Sequence, residues 1–165
     1  MRNDRRIAVV DIDGVVADVR HRLVHVERRP KDWDAFFAAA PQDPPHPEGL
    51  ALVRRLAVDH DIVFLTGRPV RCRRDTVDWL RRHGLGEHRL VMRPGGLRRP
   101  AAEVKVELLG DLAAERRVAL VVDDDASVVA AVRAAGYPTL HADWESLAPE
   151  ERRALFEAQE VDGRS

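Results

Sequence analysis

The stretch Arg6-Ile7-Ala8-Val9-Val10-Asp11-Ile12-Asp13-Gly14-Val15-Val16 decides the reading of this chain. It opens on an apolar run too short for a helix and rich in β-branched residues, which predicts a buried strand over 6–12. Two acids then interrupt it, two positions apart. On an extended strand such side chains point to the same side, and Gly14 lets the chain turn just beyond them. One carboxylate is then placed to attack phosphorus and the other to move a proton. The same residues also suit a plain solvated turn, because Asp and Gly are ordinary turn formers.

Two further runs read as strands: DIVFLT at 61–66 and VALVV at 118–122. Shorter ones are expected at 88–92 and 138–141. Amphipathic segments lie between them. The helix from Pro47 to near His60 starts with proline at a suitable position and carries Leu50, Val53, Leu56 and Ala57 on one stripe. Helices are also expected over 70–83, closed by Gly84, over 101–110, and over 126–135, closed by Gly136. Strand and helix alternate, so the expected fold is α/β, with a mostly parallel sheet between two helix layers. In such a sheet Asp11, Thr66 and Asp123 end their strands on one shared edge, where ligands usually bind.

Residues 17–46 interrupt the alternation. A helix around Lys31–Ala40 carries Trp33, Phe36 and Phe37, which suit packing onto the core, with stacking of Trp33 or Phe37 on a base as the alternative, and the proline-rich PQDPPHP at 41–47 is a loop. The insert is too short for a separate lid domain. Residues 150–165 read as a charged helical tail that frays into DGRS. The expectation is one domain over 1–165.

Composition narrows the function. The 165 residues are 45% apolar and 33% charged, with a formal net charge of -1. That average gives no support for a polyanion binder, although a local basic mouth remains open. Arg71, Arg73 and Arg74, and separately Arg93, Arg98 and Arg99, read by default as solvated faces. The single cysteine, Cys72, has no disulfide partner and no zinc spacing around it. IAVV is too short for a secretory signal, and no stretch suits a bilayer crossing. A cytoplasmic chain is expected.

Three more clusters carry chemistry. In Thr66-Gly67-Arg68 a hydroxyl and backbone amides at a strand end can hold phosphate oxygens, with Arg68 as a fork of donors. A turn with a helix cap is the plainer reading. Lys105, on a helix, can neutralise a carboxylate and a phosphate, although surface lysines are common. Asp123, Asp124 and Asp125 repel one another at a strand end, and a hard cation such as Mg²⁺ relieves that repulsion. In this reading Asp124 is the metal ligand, Asp123 orients Lys105, and Asp125 or Ser127 caps the next helix. Capping by all three acids is the bland alternative.

The order of these clusters resembles the haloacid dehalogenase-like (HAD) superfamily of phosphohydrolases. Its DxDx(T/V) motif matches DIDGV at 11–15. Its strand ending in Thr or Ser matches FLTGR, its later helical lysine matches Lys105, and its acidic pair matches VVDDD at 121–125. The resemblance implies a three-layer Rossmann-like HAD fold with only a minimal cap insert. It also implies Asp11 as nucleophile and metal ligand, and Asp13 as general acid/base that binds metal through its backbone carbonyl. Thr66 and the Gly67 amide would hold the phosphoryl group, Lys105 would balance charge, and Asp124 would complete a Mg²⁺ site, with Asp123 of the same acidic pair a further candidate for the metal.

Within the superfamily the chain is similar to the phosphatase domain of polynucleotide kinase-phosphatases. The likeness rests on Arg29-Pro30-Lys31-Asp32, Pro47, Thr66-Gly67-Arg68, Val104-Lys105-Val106-Glu107, the valine-rich helix after Asp123-Asp124, Gly136 and Trp144. No GxxxxGK(S/T) loop occurs in these residues, so no kinase half is read here. The resemblance implies a phosphorylated substrate, a nucleic acid 3′-phosphate end or a nucleotide; such a substrate needs only a small basic mouth, for which Arg68, Arg71, Arg73 and Arg98 are candidates. A sugar-phosphate phosphatase is the alternative. A non-catalytic module that accepts or binds phosphate is a third, and the motif order argues against it, because receivers gather their acid pair at the first strand.

Overall fold

A computed structural model describes residues 4–95, 99–145, 148–151, 153 and 157. Arg98 and most of the 150–165 tail lie outside the described residues. The tail positions 150, 151, 153 and 157 are helical.

The strands are β1 (Ile7–Val10), β2 (Asp61–Pro69), β3 (Arg89–Arg93), β4 (Val118–Asp123) and β5 (Thr139–His141). The main helices are α3 (Pro47–Asp59), α4 (Arg73–Arg82), α5 (Ala101–Glu115) and α6 (Ala126–Ala134), and the insert adds short α1 (Val24–Glu27) and α2 (Trp33–Ala38). The sheet order is β3-β2-β1-β4-β5, with every pairing parallel.

Alternation along the strands builds two cores, one on each face of the sheet. Ala8, Val10, Ile62, Phe64 and Val122 pack with Val53 of α3 and with Trp79 and Leu80 of α4. Ile7, Val9, Val63, Leu65 and Val121 pack with Leu109 and Leu112 of α5 and with Val128 and Val132 of α6. This is the three-layer α/β arrangement that the sequence predicts. A third cluster, with Val19, Leu23, Val26, Phe36 and Phe37, gives the insert its own small core, against Cys72 and Met92.

Element ends differ from the sequence reading for local reasons. Helix α5 runs past Gly110 to Glu115, because Leu109 and Leu112 continue its buried stripe. A tighter turn, Val70–Cys72, precedes α4, so the regular helix starts later than expected. Strand β2 extends to Pro69 across a register break after Thr66. Helix α2 is confined to Trp33–Ala38, and Asp32 caps it by accepting the Ala35 amide at 2.9 Å. A short turn at Ala40–Gln42 falls inside the expected proline loop.

Candidate active site

The carboxyl edge of the sheet brings Asp11, Thr66 and Asp123 together, as parallel strand ends require. Lys105 arrives from α5. Its Nζ lies 2.6 Å from Asp123 Oδ2 and 3.2 Å from Asp11 Oδ1. Asp11 Oδ1 also accepts the Ile12 amide at 2.9 Å. Asp11 Oδ2, by contrast, is buried and has no hydrogen-bond partner.

The three acids at the end of β4 divide their work. Asp123 holds Lys105 through Oδ2 and accepts the Asp125 amide through Oδ1. Asp125 caps α6, taking the Ser127 amide at 2.8 Å and the Ser127 hydroxyl at 2.7 Å on Oδ1. Asp124 is left facing Asp11. Ligand oxygens of Asp11, Asp123 and Asp124 lie within 4.8 Å of one another. Burial pushes the Asp11 carboxyl up to about 7, with Asp123 and Asp13 adding to the rise and Lys105 opposing it. Burial, then Asp11 and Asp123, push Asp124 well above the usual carboxylate range. Burial disfavours the charged form of Lys105, but Asp11 and Asp123 outweigh it and raise the ammonium above its ordinary value.

One lysine does not neutralise three buried carboxylates. The unpartnered Asp11 Oδ2 and the all-oxygen donor set fit a hard divalent cation. Asp11 and Asp124 are the side chains placed to hold it. Asp123 has both oxygens engaged by protein donors, so its part in such a site is to fix Lys105.

Asp13 is held by two arginines. Its Oδ1 accepts Arg68 Nη2 at 2.7 Å, Arg68 Nε at 3.0 Å and Arg22 Nη2 at 3.0 Å. Burial alone would raise this carboxyl, but Arg68 and Arg22 outweigh it and hold it below the ordinary range. Asp43 closes the square: Oδ1 accepts Arg22 Nε at 2.9 Å, and Oδ2 accepts Arg22 Nη2 at 2.9 Å and Arg68 Nη2 at 3.1 Å. All four side chains are buried.

The other expected site residues are placed as follows. Thr66 is buried and its Oγ1 accepts the Arg68 amide at 3.1 Å, the geometry of a turn. Gly67 is buried between them. The Arg68 fork expected to face substrate is turned inward onto Asp13 and Asp43, with Thr76 Oγ1 at 3.2 Å. Arg71 is exposed and lies against the insert, over the Phe37 ring at 5.2 Å and 3.6 Å from Asp34. Phe36 and Phe37 are core residues.

A family model described as the polynucleotide kinase PNKP phosphatase domain matches residues 5–145. The chain belongs to this family. It is a phosphatase of the HAD fold. Among solved structures, a chain of the Pnkp1/Rnl/Hen1 RNA repair complex superposes with a TM-score of 0.71 at 20% identity, over 87% of this chain and 44% of that one. This PNKP-type domain therefore spans less than half of that chain's length. The Class C acid phosphatase from Bacillus anthracis with tungstate bound gives a TM-score of 0.58 at 15% identity, covering 94% and 80%. The HAD-hydrolase YfnB from Bacillus subtilis bound to magnesium gives 0.57 at 11%, covering 94% and 100%. No curated protein sequence matches. No helix among the described residues of the PNKP-type domain is long and apolar enough to cross a membrane.

Sequence reasoning missed Arg22 and Asp43. Arg22 sits in the basic run Arg20-His21-Arg22, which matches no motif. A usable signal was present: Val19, Arg22, Leu23 and Val26 fall at the 3–4 spacing of one helical stripe, and all four are buried.

Proposed function

We propose that this domain is a Mg²⁺-dependent phosphomonoesterase that releases terminal phosphate from nucleic acid 3′-ends or nucleotides through an aspartyl-phosphate at Asp11. The observation that carries the reading is the pairing of an unpartnered, buried Asp11 Oδ2 with Lys105 and Asp124 at the edge of the sheet.

When bound, the cation would be held by Asp11 and Asp124 and would offset charge on the transferring phosphoryl group. The chain's own groups do the rest. An Asp11 oxygen attacks phosphorus, the P–O ester bond breaks, and Asp13 gives a proton to the departing oxygen. Asp13 then takes a proton from the water that cleaves the acyl phosphate, which regenerates the Asp11 carboxylate. Thr66 and the Gly67 amide position the phosphoryl oxygens, and Lys105 offsets part of the charge beside Asp11.

In the resting site Arg68 and Arg22 hold Asp13 ionised. An arriving phosphate competes for those guanidiniums and so lets Asp13 take up the proton that it must donate. Arg22 Nη1 is buried without a hydrogen-bond partner, so one donor of this guanidinium is unused, which is consistent with such a competition. The nucleic-acid part rests on the family and on the exposed Arg71, Arg73 and Arg74 just past β2. A phosphate-release assay in Mg²⁺ tests the reading with 3′- and 5′-phosphorylated oligonucleotides, mononucleotides and sugar phosphates. Preference for the 3′-phosphorylated ends is expected. Preference for sugar phosphates overturns the substrate, and no metal-dependent release from any of them overturns the chemistry.

A further inference from the structure

The reaction leaves one buried carboxylate unused. Glu145 follows β5 and is 4% exposed. Its two oxygens have different surroundings. Oε1 accepts the Val19 amide at 3.0 Å and lies 3.0 Å from His46 Nε2. Oε2 is buried with no hydrogen-bond partner.

Gly14 shows where Oε2 points. A Cβ built on Gly14 would lie 2.1 Å from Asp124 Oδ2 and 2.9 Å from Glu145 Oε2. The two oxygens therefore face the same small space above the Gly14 backbone. Two carboxylate oxygens turned toward one another in the interior need a donor or a cation between them. Consistent with this, Glu145 is among the groups that raise the Asp124 carboxyl, and burial raises Glu145 itself.

Ligand atoms of Asp18, His46 and Glu145 also lie within 4.8 Å of one another. They do not make a separate metal centre. Arg20 holds both Asp18 oxygens, at 2.9 Å and 2.6 Å. His46 thus acts as a support for Glu145.

Magnesium sheds its waters reluctantly and keeps several when carboxylates bind it. We infer that Glu145 is an outer acceptor of the metal site: its Oε2 takes a hydrogen bond from a water on the cation held by Asp11 and Asp124, while His46 and the Val19 amide fix its orientation. The inference rests on the cation site proposed above. It has a structural corollary. Val19 lies near the start of the insert and His46 at its end, so one carboxylate ties both ends of the insert to the metal.

The test titrates the metal-free chain with Mn²⁺ and reads free Mn²⁺ by electron paramagnetic resonance. Wild type is expected to bind, and Asp124→Asn to lose binding. Glu145→Gln is expected to weaken Mn²⁺ about tenfold to a hundredfold, the usual effect of removing a group that orients a metal's ligands. Its metal-free melting midpoint should hold or rise, because a repelling charge is gone, while the Mn²⁺-induced rise shrinks. His46→Leu leaves the carboxylate in place and should weaken binding several-fold, with His46→Gln restoring it. Unchanged Mn²⁺ affinity in Glu145→Gln and His46→Leu overturns the role of Glu145 and leaves the cation site standing. An equal fall in the metal-free and loaded midpoints with unchanged affinity marks Glu145 as structural only and also overturns it. Failure of wild type to bind Mn²⁺ removes the cation site, and the inference with it.

Discussion

Arg68 places both Nε and Nη2 on a single oxygen of Asp13, at 3.0 Å and 2.7 Å. The pair links the end of β2 to the end of β1 and is almost wholly shielded from water. A fork on one oxygen leaves the other Asp13 oxygen free of Arg68, which is the geometry a proton carrier needs.

Removing Arg68 leaves two buried acids, Asp13 and Asp43, to share the single guanidinium of Arg22. Arg68→Ala is therefore expected to lose about 3–5 kcal/mol of stability, the usual result of breaking a buried ion pair from one side. Arg68→Lys keeps the charge but cannot make the fork, so its loss should be smaller while phosphate release still falls. Urea unfolding beside a release assay checks both. A stable, fully active Arg68→Ala would contradict the assignment.

Asp11→Asn should separate chemistry from folding. Burial already disfavours charge at this position, so a neutral isostere costs the fold little. Phosphate release is expected to fall a thousandfold or more, in line with the loss of other nucleophiles. The melting midpoint at pH 8 without metal should hold or rise. Calorimetry and single-turnover assays of the variant provide the check.

Much of this was legible in Asp11-Ile12-Asp13-Gly14. An apolar strand that stops at two acids can be read from local pattern alone, and parallel topology then puts Thr66 and Asp123 on the same edge. Lys105 became legible only through order along the chain, since one lysine on a charged helix carries no local signal. The inward turn of Arg68 was not legible, because its partner Asp43 sits in a proline loop whose path no periodicity sets. Glu145 was hidden for a similar reason. It lies past the last strand, and the Val19 amide and His46, far away in sequence, hold it there.

The metal-free protein should lose stability as pH rises. A carboxyl raised in the folded state favours folding below its unfolded pKa, and that contribution is lost as pH climbs through the folded value. For Asp11 that window runs from its ordinary 3.8 to about 7. Asp124, Asp43 and Glu145 are also raised and act in the same direction. Asp13 is lowered and acts oppositely, but its window lies below the ordinary carboxylate value. His83 and His88 are lowered too, chiefly by burial, and oppose the trend more weakly because both remain partly hydrated. Melting midpoints in a chelator should therefore fall from pH 5 to pH 8, and saturating Mg²⁺ should flatten the trend. A midpoint that rises over that range without metal would contradict the charge crowding.

Three glycine variants test whether the Gly14 turn, rather than glycine in general, shapes the metal site. Gly14 has φ +79°, so alanine there carries roughly 1–2 kcal/mol of backbone strain. Its Cβ would also meet Asp124 Oδ2 at 2.1 Å, a contact with a side-chain end that can swing away. Gly14→Ala should therefore still fold, with a lowered midpoint, while Mg²⁺ affinity and phosphate release drop about tenfold or more, as Asp124 leaves its place. At Gly49 the added Cβ would lie 1.9 Å from the Val15 carbonyl oxygen, which is backbone and cannot swing. Gly49→Ala should push α3 off the β1 turn and fail chiefly in stability. Nothing lies within 4 Å of a Cβ at Gly110, inside α5, so Gly110→Ala should gain about 1 kcal/mol from helix propensity and leave release unchanged. Metal titration and thermal melts of the three proteins decide the matter: equal metal affinity in Gly14→Ala and Gly110→Ala would show that the close approach of Asp124 to Gly14 does not set the site.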